Sequence, residues 1–166
     1  MANKQSFTPA EWTKVLESVM LAGMAVSAAD PSGLWGTLKE AFASRSALAA
    51  SKLDSGSNEL VKAAITDLET SEGQSAVQEA LRKHIAGVKP AEIVQRSLDS
   101  LRDVSAILDT KAPGDAAGFK AFLRGISQKV AEASVEGGFL GFGGVKVSGA
   151  EKATLGDIAK ALGTTA

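Results

Sequence analysis

Three stretches of this chain pair a hydroxyl residue with a glutamate or glutamine three positions later where a helix is expected to begin: Thr8-Pro9-Ala10-Glu11, Ser71-Glu72-Gly73-Gln74 and Ser148-Gly149-Ala150-Glu151. Each is the signature of a capping box, in which two side chains satisfy backbone N–H groups that the first turn of a helix leaves unpaired. Behind each one, apolar residues recur at the 3.6-residue spacing of a helix face. This recurrence constrains the fold more than any other feature. The spacing predicts a first helix to about Ala29, with Trp12, Val15, Leu16, Val19, Met20 and Gly23 on one stripe and Phe7 stapled onto Trp12.

The same logic carries through the chain. Asp30 and Pro31 are placed to start a second helix, carrying Leu34, Trp35, Leu38 and Phe42. Ser57 is the expected cap of a third, carrying Leu60, Val61, Ala64, Ile65 and Leu68, and Ser71 of a fourth, carrying Val77, Leu81 and Ile85. Gly87 has the position of a helix-ending glycine. Pro90 opens a long helix with Ile93, Leu98, Leu101, Val104 and Leu108 inward. Asp115 is the expected cap of a sixth, which fades near Ser134, and Ser148 that of a last helix closed by Gly163. Val145 and Val147 alternate, but an isolated pair cannot form a sheet. The expectation is an all-α fold, a compact bundle of about seven helices in a single domain over residues 1–166.

Composition excludes several function classes. The formal net charge of -1 leaves no electrostatic footprint for nucleic acid. Tyrosine is absent and aromatics are 5%, so stacking platforms for single strands are few. Cysteine is absent, which removes disulfides, thiolate catalysis and cysteine-based metal centres. No apolar run is long enough to span a bilayer, and Met1–Pro9 lacks the apolar core of a signal peptide, so a cytoplasmic protein without a transmembrane segment is expected. His84, the only histidine, lies near the end of the fourth helix, where a surface or capping role is expected. No serine is patterned with it as a nucleophile, and no Gly-x-Ser-x-Gly elbow occurs, so an enzyme ranks last among the readings.

One stretch departs from plain helical patterning. Five of the 17 glycines lie between Gly137 and Gly144, interleaved with Phe139, Leu140 and Phe142. It lacks the Gly-Lys-Ser/Thr ending of a P-loop and follows a helix, not a strand, so a phosphate cradle is not expected. Phe139, Leu140 and Phe142 either plug the end of the bundle or contact a partner: a protein, a membrane surface or a small apolar ligand. A two-fold homodimer through this stretch is also left open.

The order of pieces resembles the tellurite-resistance TerB-like family of compact helical bacterial proteins. The residues that carry the likeness are Ala25-Val-Ser-Ala-Ala-Asp30, Val130-Ala-Glu-Ala-Ser-Val-Glu136-Gly137 and the closing Ser148-Gly-Ala-Glu151 helix. That family places a helix ending in an acidic turn, then a helix opening with glutamate, near each end of the domain. Asp30 matches the first turn with Pro31 in place of a glycine; Glu136 stands for the second aspartate, and Glu151 matches the helix-opening glutamate. The glycine–phenylalanine stretch is an insertion relative to that pattern. The resemblance implies a non-enzymatic module in a stress or metal-related, tellurite-resistance-type response. It would bind a divalent cation, through Asp30, Glu136 and Glu151, or a partner protein. The alternative is a binding module that uses the Gly/Phe stretch 137–144 on a protein or apolar ligand, without metal.

Overall fold

A computed structural model describes residues 2–29, 58–136 and 147–164. Among them are a short 3-10 turn, Lys4–Ser6, and six α-helices, with no strand: α1 Pro9–Ala29, α2 Glu59–Leu68, α3 Ser71–Ile85, α4 Pro90–Lys111, α5 Pro113–Glu136 and α6 Gly149–Ala161. These account for six of the seven expected helices. The one expected after Asp30 lies outside the described residues.

α1 begins as its sequence prescribes. Thr8 N–H donates to Glu11 Oε2 at 2.8 Å, and Glu11 N–H donates to Thr8 Oγ1 at 3.3 Å. The staple closes, with the Phe7 and Trp12 ring centroids 5.6 Å apart. The expected amphipathic stripe is the part that differs. From Val15 to Ser27 every residue is buried except Met24, which is partly so. A helix that is apolar on every side is a core helix, and α1 packs against each of the other five. Its hydroxyls manage this by bonding their own helix: Ser18 donates to Val15 O at 2.7 Å and Ser27 to Gly23 O at 3.1 Å.

Register follows from contacts at both ends of α1. Lys111 lies 3.8 Å from Glu11, and Lys14 pairs with Asp103 at 2.9 Å, so α4 runs antiparallel to α1. Ala2 N–H reaches Asp115 at 2.7 Å, while Ser127 Oγ reaches Ala22 O at 2.9 Å, so α5 runs parallel to α1. The C-terminal ends of α1 and α5 therefore lie at the same end of the bundle. One continuous core joins Leu16, Val19, Leu60, Ile65, Leu101, Leu108, Phe119, Leu123, Ile158 and Leu162, all at 2% exposure or less. Each such side chain contributes roughly 1.5–3 kcal/mol by leaving water.

Three caps differ from expectation, each for a local reason. Asn58, not Ser57, caps α2: its Oδ1 accepts from Val61 N–H, and its Nδ2 donates to Asp115 O, both at 3.0 Å. The amide thus joins two helix starts, which a serine hydroxyl is too short to do. Thr70, not Ser71, caps α3: it accepts from Gly73 N–H at 3.0 Å and donates to Asp67 O at 2.6 Å, closing α2 while opening α3. Asp115 lies inside the first turn of α5, because Pro113 already starts the helix and Ala116 N–H bonds Ala112 O at 2.8 Å. Freed from capping, the Asp115 carboxylate holds the N-terminal segment at Ala2. α5 also runs to Glu136, past Ser134.

The remaining punctuation is as read. Gly87 (φ 67°) occupies the third position of a type II turn that Val88 N–H closes on Ile85 O. Gly163 (φ 65°) ends α6 in a Schellman motif, with Thr164 N–H on Ala159 O and Gly163 N–H on Lys160 O.

Candidate functional site

The residues singled out from sequence fall unevenly across the described fold. Asp30, Phe139, Leu140 and Phe142 lie outside the described residues. Glu136 is the last residue of α5; its side chain lies outside the description. Glu151 is described fully. It is 3% exposed, and its Oε2 accepts from Ser148 N–H at 2.8 Å, while its own N–H donates to Ser148 Oγ at 3.2 Å. The third capping box is thus formed, and its glutamate is inward rather than solvated. Among the described residues, no group of three or more histidine, aspartate or glutamate side chains is placed to hold a metal ion. The set Asp30, Glu136 and Glu151 extends beyond those residues.

A nearly buried pair of titratable side chains lies elsewhere, where α1, α3 and α4 meet. Glu17 is the only charged residue on α1 between Val15 and Ala29. Its side chain is 11% exposed, as is that of His84 on α3, and His84 Nδ1 lies 3.6 Å from Glu17 Oε1. That separation is ion-pair range but too long for a hydrogen bond. Arg96 of α4 donates to the His84 carbonyl at 3.2 Å, capping the C-terminal turn of α3. Among the described residues, His84 Nε2 and Ser97 Oγ are buried without a hydrogen-bond partner.

Electrostatics at this junction favour neutral forms. Burial raises the Glu17 carboxyl above its ordinary value, against the opposing pull of Lys14. Burial lowers His84, and the Arg96 guanidinium lowers it further. Desolvation therefore outweighs the mutual attraction of an imidazolium and a carboxylate at this distance.

The surface or capping role expected for His84 is corrected here. The imidazole is inward because Val77, Leu81 and His84 share one face of α3, spaced four and three residues apart. That spacing marks the inward face of α3, and Glu17 is the single charge in the apolar run from Val15 to Ala29, but neither signal says that the two side chains meet.

A second polar cluster lies a little over one turn away. Trp12 Nε1–H donates to Asp67 Oδ2 at 2.6 Å, and Lys4 Nζ donates to Asp67 Oδ1 at 3.3 Å. It ties the 3-10 turn and α1 to the end of α2. Gly73 packs so closely beneath it that a Cβ there would overlap the Asp67 carbonyl.

No helix among the described residues is long and apolar enough to cross a membrane. Compared with known protein families, with curated proteins and with solved structures, the chain has no match.

Proposed function

We propose that this chain is a non-enzymatic, TerB-like helical module that binds a divalent cation, or a partner protein, in a stress or metal-related response. The observation that carries this reading is the parallel packing of α1 and α5. It brings to one end of the bundle the two helix ends that lead into Asp30 and into Glu136. Those are the two acidic turns that the sequence pairs. Helix C-termini carry partial negative charge, so a cation at that end is also favoured by the backbone. Hard divalent cations take several oxygen ligands, and carboxylates entering from two parallel helix ends are a source of them.

Thermal melting with and without millimolar calcium, manganese or zinc tests the reading. A cation that binds only the native state raises the melting temperature by mass action, by about 2.7 kcal/mol of stability at a hundredfold excess over Kd. The expected result is a shift with one of the three that disappears in Asp30→Asn and Glu136→Gln. No shift with any of them removes the cation from the proposal. Serine at Phe139 and Phe142 then decides between the remaining roles. Loss of partner binding at unchanged stability favours the Gly/Phe stretch as a contact surface; a large loss of stability marks it as a plug.

A further inference from the structure

α3 is the most lightly held of the described helices. Of its fifteen residues only Gly73 and Val77 are buried, both in its first half. Beyond Val77 its attachments are partly buried side chains such as Leu81, the Glu17–His84 pair and the Arg96 bond to the His84 carbonyl. Two of those three attachments are made by His84: its imidazole faces the Glu17 carboxylate of α1, and its backbone carbonyl accepts from Arg96 of α4.

We propose that Glu17 and His84 form a pH-responsive clasp that holds the C-terminal half of α3 on α1 and α4 at neutral pH and releases it in mild acid. This goes beyond the cation or partner role and does not depend on it. Among the described residues, the charges acting on the pair come from Lys14 of α1, itself bonded to Asp103 of α4, and from Arg96 of α4. On α3, Lys83 is turned outward and paired with Glu79 at 2.8 Å. Docked, His84 has Arg96 nearby and a buried Nε2 with no acceptor among the described residues; a proton there adds charge where water cannot reach it. Released into water, the imidazole takes that proton freely.

The sign follows from linkage. His84 is lowered in the fold from its ordinary 6.5, so the docked form loses stability as pH falls through 6.5 towards the folded value. Glu17 is raised from its ordinary 4.5, so its buried charge costs most at high pH, and the docked form regains stability as pH falls through the raised value towards 4.5. Release therefore sets in as pH falls below 6.5, and protonation of Glu17 opposes it as pH falls towards 4.5.

Hydrogen exchange of the α3 amides from Gln78 to Ile85, corrected for intrinsic rates, reads the clasp directly. Protection is expected to fall by up to about tenfold one pH unit below 6.5, the full protonation advantage of a released histidine, while α1 and α4 stay protected. In Glu17→Gln the fall should steepen, because the compensating proton uptake is gone; in His84→Gln it should vanish. Equal protection at pH 7.5 and 5.5, or an unchanged fall in His84→Gln, overturns the proposal. The unsubstituted protein supplies a check that needs no variant. As the only histidine, His84 gives one imidazole signal by NMR. A titration midpoint below 6.5 in the folded protein is expected, and one at or above 6.5 overturns the clasp.

Discussion

Two polar clusters hang on α1 five residues apart, and they are built in opposite ways. At Trp12, the indole N–H meets Asp67 at 2.6 Å, Lys4 approaches the same carboxylate, and Asp67 keeps access to water. At Glu17, the carboxylate and imidazole stand 3.6 Å apart, both nearly sealed, with His84 Nε2 unpartnered among the described residues. The first cluster is hydrogen-bonded and closer to the surface; the second is more enclosed and under-satisfied. Unmet buried polar groups are costly, so a fold that keeps them is holding chemistry it does not need for stability. The first cluster should behave as a structural tie and the second as a working element.

The most severe test of that contrast is removal of the tie. Trp12→Ala should cost about 3–5 kcal/mol, from the lost aromatic volume, read as the shift in urea unfolding free energy. Trp12→Phe keeps most of the ring and should cost about 1–3 kcal/mol for the unsatisfied Asp67 contact. A near-neutral Trp12→Phe would mean that Asp67 turns to water at no cost, and that the first cluster is no tie at all.

Next in size is Gly73→Ala, beneath the same cluster. Alanine normally gains about 1 kcal/mol over glycine in a helix. Here its Cβ would overlap the Asp67 backbone carbonyl, which cannot swing aside. Overpacking of this kind should reverse the sign and leave a net loss of about 1–3 kcal/mol, visible in the same unfolding curves. A stabilised Gly73→Ala would show that the α2–α3 corner opens easily.

The second cluster should respond the other way. Glu17→Met replaces a desolvated carboxylate with an apolar side chain of similar length. Exchanging a buried ionic group for a packed apolar one is commonly neutral or stabilising, by about 1–4 kcal/mol at the upper end. At pH 7.5 the global unfolding free energy of the variant should match or exceed the parent's, because the clasp governs only the local opening of α3. A clear loss there would make Glu17 a tie like Trp12 and would erase the contrast.

How much of this was legible in the sequence depends on how local the signal is. The Thr8 and Ser148 boxes, the Phe7–Trp12 staple and the glycines at 87 and 163 are set within a few residues, and they read correctly. Where one side chain serves two helices, local reading failed. Asn58 and Thr70 each bridge two helix ends, and Asp115 was released from capping by Pro113 two positions earlier. The centrality of α1 was half legible. The uncharged run from Ser18 to Ala29 signals burial on all sides, but the stripe of larger residues within it draws attention to one face. The Glu17–His84 pair was hidden for a different reason: its members are 67 positions apart, and only the docking of α3 on α1 brings them together. The fold class was therefore recoverable from spacing alone. The Glu17–His84 pair was not, because spacing within one helix says which face is inward but not what it will meet.

The finest test compares two serines that occupy the same kind of place. Ser127 Oγ lies 2.9 Å from Ala22 O on α1 and 3.1 Å from Leu123 O, one hydroxyl proton shared between two helices. Ser97 Oγ is equally buried and bonds nothing among the described residues. Ser127→Ala should cost about 0.5–1.5 kcal/mol, the net worth of a made hydrogen bond. Ser97→Ala removes a polar atom that is already unpaired, so it should be neutral or slightly stabilising in the same assay. If the two cost the same, Ser97 has a partner in solution. If only Ser127 costs, the made hydrogen bond, and not a buried hydroxyl in itself, is what stabilises the packing of α1 on α5.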